Sequence, residues 1–188
     1  MRHQVLRSTL AAGVLAVSAA CATRPPMDDS SMQMATTQPI TDANIAAVVV
    51  AANNADISYA QVAMSRSQND KVRSFAQTMI SDHTGVNKAA VDLVTRLGVT
   101  PVDNEMSRGI RDNGSQKVAQ FSMLSGMAFD TTYIANEVDY HKVVLGAIDG
   151  ALIPGATNAD LKALLVSVRP AIAAHLAHAE QIKSSMSY

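Results

Sequence analysis

The chain has 188 residues, 15 basic and 16 acidic side chains, a net charge of −1, 48% hydrophobic residues and only 4% aromatic ones. That length is enough for one domain with a real core, and a composition rich in Ala and Val but poor in aromatics favours slim, closely packed helices over a β-sandwich. The near-neutral charge and the lack of a basic cluster argue against nucleic acid as a partner.

The N-terminal stretch MRHQVLRSTLAAGVLAVSAACATRPP places Arg2 and Arg7 before an uncharged run from Ser8 to Ala20. A basic start, a short apolar middle and small residues at the end form a secretory signal, and the run is too short to span a bilayer. Residues 1–20 are therefore read as a signal peptide. Val17-Ser18-Ala19-Ala20-Cys21 resembles the lipobox of bacterial lipoproteins, in which the cysteine is lipidated and becomes the first residue of the mature chain. Ser18 stands where Leu is usual, and an ordinary signal peptide cut near Ala20 is the alternative. Cys21 is the only cysteine, which excludes a disulfide framework and leaves it for lipidation. Ala22 is not the Asp linked to inner-membrane retention, so the lipoprotein pattern points to the outer membrane, with the protein facing the periplasm. No later segment is apolar enough to span a bilayer, so the expected membrane contact is the lipid on Cys21.

Residues 21–40 are polar, contain Pro and lack a period, which predicts a disordered tether. Met27, Met32 and Met34 are soft thioether donors of the kind Cu(I) prefers, and are equally ordinary in a linker. A helical domain is expected over 41–186. Thr41 or Asp42 caps its first helix, whose stripe runs Ile45, Val48, Val49, Ala52, Ala55, Asp56, Tyr59, Val62 and Ala63. A very short break at 66–70 leads into a second helix, capped by Asn69 or Asp70 and closed by Gly98 with Pro101 beyond it. So short a break predicts an antiparallel hairpin.

Residues 98–128 read as a long crossover rich in turn formers, containing one short helix capped by Asn113 or Ser115 and stopped by Gly126. The third main helix runs from about Ala128 to Asp149, with a stripe that includes Tyr133, Glu137, Val138 and His141. Pro154-Gly155 marks the next turn, and the fourth main helix follows from Asn158 to about Ser184. Pro170 inside it removes a backbone donor and predicts a kink.

Three histidines, His83, His141 and His175, fall on the apolar stripes of three different helices, and the first helix presents Asp56 instead. Counted from the caps, the four residues lie roughly 12 to 17 residues into their helices, offsets that differ by less than two turns at about 1.5 Å per residue. In an antiparallel bundle such positions meet at one level. Imidazoles and a carboxylate in near-tetrahedral array suit one divalent transition ion, Zn²⁺, Cu²⁺ or Fe²⁺. Asp82, Glu137 and Asp139 sit beside the histidines in sequence, placed to orient imidazole N–H groups or to complete a second metal position. His178, three residues after His175, leans off the stripe and is expected as a bystander or rim ligand. The competing reading is a metal-free hydrogen-bond network in which Asp56 pairs with one histidine and fixes helix register. If the three rings lie more than about 8 Å apart, no single ion can bind them all. The chain offers no Cys nucleophile, no Gly-rich phosphate loop and no Glu-x-x-His pair.

ADISYAQVAMSRSQNDKVRSFAQTMISDHTGVNKAAVDLVTRLGVTP, GMAFDTTYIANEVDYHKVV and VRPAIAAHLAHAE together resemble the DUF4142 family, ferritin-like helical proteins common in bacterial envelopes. The resemblance rests most on the Asp82-His83 pair, on Phe129, Asp130, Tyr133 and His141, and on the spacing from Pro170 to His175. The chain departs from the family's pattern at Asp56, where Glu is usual, and at Arg169, where Leu is usual. The resemblance implies an all-α, ferritin-like four-helix bundle of two antiparallel hairpins, and no particular reaction. The combined expectation is an exported lipoprotein with a His/Asp metal site in its core and a binding role linked to envelope stress rather than turnover. A structural or interaction module is the rival, and a di-metal oxidase is disfavoured for want of carboxylates.

Overall fold

Thr41 starts the first helix with a reciprocal cap: its hydroxyl accepts the N–H of Asn44, and the Asn44 side chain accepts the N–H of Thr41. The structure is a computed structural model and describes residues 39–186. Among the described residues the chain forms five helices, α1 Asp42–Arg66, α2 Asp70–Leu97, α3 Glu105–Ser122, α4 Gly126–Ala147 and α5 Ala159–Met186. A π-helical segment, Ile148–Leu152, and a single turn, Ile153–Gly155, follow α4. No strand occurs among these residues, so the chain is all-α there. No helix among them is long and apolar enough to cross a membrane. The signal peptide, Cys21, the three linker methionines and all but the last two residues of the expected tether lie outside the described residues.

The expected caps of α1, α2 and α5 form. Asn69 accepts the N–H of Lys71, and Gly98 closes α2 with a left-handed φ of 64° that a side chain would resist. Asn158 accepts the N–H groups of Asp160 and Leu161 at the start of α5. Arg73 donates to the carbonyls of Met64 and Ser67, which would otherwise be orphaned at the end of α1. Pro170 sits inside α5, which continues to Met186.

Two expectations need correction. The crossover is not mostly turn: α3 spans 18 residues and begins at Asn104, whose side chain accepts the N–H of Ser107, not at Asn113 or Ser115. Gly126 opens α4 rather than stopping α3. Asn113 and Gly114 read as turn formers, yet α3 packs directly on α1, and a Cβ at Gly114 would stand only 3.3 Å from Ala55 Cβ. Tertiary contact overrides the local preference, and the glycine is what permits the close approach. The second correction is at Pro154-Gly155, where the backbone stays helical through the π segment and the turn. The break comes at Ala156.

α1 packs on α2, α3 and α4, α2 also packs on α5, and α4 on α5. Its buried alanines at 46, 47, 51, 55, 60 and 63 suit a helix enclosed on several sides. The α1–α2 register is held by side-chain pairs, His83 with Asn53 and Asn87 with Asn54.

The core has two halves. One is aromatic, with Tyr59, Phe75, Phe121, Phe129 and Tyr133 in mutual ring contact. The other is aliphatic, built from residues such as Ile45, Val48, Leu93, Leu161, Leu165 and Ile172. Along α1, α2, α4 and α5 alike the chain passes from one half to the other, and between them each helix contributes a buried polar residue: Asp56, His83, Glu137 with His141, and His175.

Candidate metal centre

Each polar residue of this layer is held by its helix against the apolar halves on either side, and burial is nearly complete. Asp56 and Glu137 are fully buried, and the exposure of His141, His83 and His175 is 1%, 4% and 6%. The ring centroids of the three histidines are 5.4 to 5.9 Å apart, well inside the limit set from sequence. Each ring offers one nitrogen that lies within 4.8 Å of those of the other two.

The hydrogen bonds assign the ring tautomers. Asn53 donates its amide to the carbonyl of Val49, so its Oδ1 is the atom that faces His83, and it accepts from His83 Nδ1 at 2.6 Å. His141 Nδ1 donates to the backbone carbonyl of Glu137 at 2.9 Å. His175 Nε2 donates to Asp82 Oδ2 at 3.0 Å. In all three rings one nitrogen is thereby committed to an oxygen acceptor. The other nitrogens, His83 Nε2, His141 Nε2 and His175 Nδ1, are buried without a hydrogen-bond partner. This is how protein scaffolds orient metal-binding imidazoles: the outer N–H is fixed and the inner lone pair is left free.

Asp56 faces two of these lone pairs. Its Oδ2 lies 3.0 Å from His83 Nε2 and 3.5 Å from His141 Nε2. Atoms bound to one tetrahedral ion at about 2.0–2.1 Å are separated by roughly 3.3 Å, so both distances match an edge of such a coordination shell. Asp56 carries the shorter of the two carboxylate side chains, yet its carboxylate reaches the imidazoles. Glu137 extends the layer, with Oε2 3.6 Å from His141 Nδ1, and a second set of candidate ligand atoms comprises Asp56, Glu137 and His141.

The electrostatics separate the two acids. Burial pushes the Asp56 carboxyl up, but the close contact with His83 and the fields of all three histidines outweigh it and hold Asp56 below the usual range. Burial and the charge of Asp56 push Glu137 well above its usual range, so it is held as the neutral acid. Burial pulls His141 and His175 down and favours their neutral, metal-ligating form. The surrounding phenols respond in the same sense: burial and the two acids push Tyr59 up to about 12. Tyr140 donates to the carbonyl of Ala52.

Of the residues singled out from sequence, His83, His141 and His175 converge, and Asp56 meets His83 and His141. Glu137 joins the layer itself, and Asp82 lies on its outer side against His175. Asp139 does not reach it. Two residues from His141 is about 200° around a helix, and Asp139 is exposed on a surface recess with Lys117 and Asn136. His178 is exposed as well, its ring edge-on to Phe75 at 5.3 Å, one turn beyond the layer. Asn53 was missed. Its only signal in the sequence is its position three residues before Asp56, on the same helix face.

Fold and site define an all-helical protein with a buried histidine–carboxylate layer. The profile of the DUF4142 family, a domain of unknown function, matches residues 26–182, and the chain belongs to that family. Comparisons with curated proteins and with solved structures find no match.

Proposed function

We propose that the layer binds one divalent transition ion, Zn²⁺, Cu²⁺ or Fe²⁺, through His83 Nε2, His141 Nε2, His175 Nδ1 and Asp56 Oδ2. The observation that carries this reading is the set of three buried ring nitrogens left unpartnered while their opposite nitrogens are each tied to an oxygen. A metal-free network is the rival. It would need a donor for each inward lone pair, and Glu137, which burial and the charge of Asp56 hold as the neutral acid, offers one. When bound, the ion would act as a Lewis acid. Asn53, Asp82 and the Glu137 carbonyl would hold the imidazoles in place.

The pairwise packing of α1 with α2, α2 with α5, α5 with α4 and α4 with α1 supports a ferritin-like four-helix bundle with α3 laid across α1. We place this bundle at the outer membrane, facing the periplasm and tethered by a lipid on Cys21. The metal reading is tested by elemental analysis of protein purified without a His tag, and by thermal unfolding of the metal-free form with each ion added. A melting temperature that ignores Zn²⁺, Cu²⁺ and Fe²⁺ would overturn it. The lipid reading is tested by labelled fatty-acid incorporation, which must disappear in Cys21→Ser.

A further inference from the structure

A cavity of about 190 Å³ adjoins the His/Asp layer on its aliphatic side. Its deep wall is made by Val48, Val49, Ile148, Leu152, Leu165 and Ile172, all buried. The polar side chains that line it are Asn53, Asp56, His83, Tyr140 and His141, which form its floor. Met106 on α3 and Val143 on α4 also line it, and they are 37% and 69% exposed. The π segment shapes this space. Ile153 donates its N–H to the carbonyl of Ile148, which widens the backbone by one residue where Ile148 and Leu152 enter the wall. Such π segments occur frequently at functional sites.

The wall decides what can fill the space. Water needs two to four polar partners, which most of this surface does not offer, and an apolar cavity of roughly 150 Å³ stays dry and takes up benzene or xenon. An apolar pocket with a few convergent polar groups at one end is the usual form of a small-molecule site. We infer that this cavity binds a small apolar molecule, aromatic or aliphatic and about the size of benzene, seated between the aliphatic core and the His/Asp layer. The inference rests on the wall and not on the ion, so it stands independently of metal binding.

The test uses the full metal-free chain with toluene as the probe, read by methyl NMR. The methyl resonances of Val48, Leu165 and Ile172 are expected to shift and saturate with toluene, and the melting temperature to rise by several degrees. Both effects should vanish in Val144→Phe and in Ala147→Phe, each of which fills the cavity from α4 without touching the polar floor. Unmoved methyls, or shifts that persist in the filled variants, would overturn the proposal. Should neither variant fold, a crystal of the unaltered protein under xenon decides: density in the cavity supports the site, and its absence refutes it. Metal titration of the same sample is read separately, so failure of the metal reading leaves the toluene result standing.

Discussion

His83 Nε2 and Asp56 Oδ2 lie 3.0 Å apart, both buried. With Nδ1 of the same ring donating to Asn53, a neutral His83 has only a lone pair to set against the carboxylate. Two acceptors at that distance repel unless a positive charge lies between them or on the ring. A proton shared between them or a bound cation would satisfy both atoms, and a cation would engage His141 Nε2 as well.

Metal added to the apo protein should raise its stability by mass action. At an ion concentration of a hundred times Kd the gain is about 2.7 kcal/mol, which for a chain of this size is a rise of roughly 5–10 °C in melting temperature. His141→Phe, close in shape but without a ligand atom, should abolish the rise. Differential scanning calorimetry of both proteins, with and without each ion, checks this.

Asp82→Ala leaves every proposed ligand in place but frees the outer nitrogen of His175. Metal affinity should fall by roughly 10–100-fold, the usual cost of losing such a support. Because Asp82 is exposed, the melting temperature of the metal-free protein should change little. Competition titration against a chromophoric chelator separates the two effects. Unchanged affinity would show that His175 is not held by Asp82 in the bound state.

Gly114→Val should destabilise the fold by about 1–3 kcal/mol, because the new side chain must displace Ala55 or push α3 off α1. Gly109→Ala, on the same helix with nothing within 4 Å of the added carbon, should instead stabilise by up to about 1 kcal/mol through helix propensity. Urea unfolding of the two variants gives opposite signs if α3 packs as described.

Asp42 ties the start of α1 to the start of α5 by accepting from the Thr157 N–H and hydroxyl and from the Asn158 N–H. Burial pushes its carboxyl up, but these bonds together with the charge of Lys162 outweigh burial and hold it below its ordinary value of 3.8. A carboxyl lowered in the folded state contributes stability that is present above its unfolded pKa and is lost as pH falls through the folded one. The urea midpoint should therefore drop as pH is lowered from about 4, and Asp42→Asn should remove that part of the decline. Parallel titrations of unfolding against pH measure the difference.

Local signals were legible wherever a single helix decides the outcome. Thr41, Asn69, Gly98 and Asn158 are caps because their side chains or φ angles serve their own backbone, and the sequence displays them directly. The stripes exposed Asp56, His83, His141 and His175 for the same reason, since a polar residue on an apolar face breaks a visible period. α3 was misjudged because its glycines serve a neighbour: Gly114 reads as a turn former until Ala55 is set against it. Asn53 escaped notice because an amide beside Asp56 has no meaning until His83 arrives from another helix.

Sequence alone determined that the chain is helical, where most helices begin, and which four inward-facing residues could share a layer, because helix periodicity and capping are local and carry a fixed rise per residue. Only the tertiary structure decided that the three histidines meet with Asp56 against two of them, which nitrogen of each ring is left free, that Glu137 rather than Asp139 joins them, and that an apolar cavity opens onto their floor. Those outcomes depend on distances between segments as far apart as residues 53 and 175, set by how the apolar halves of the core pack together.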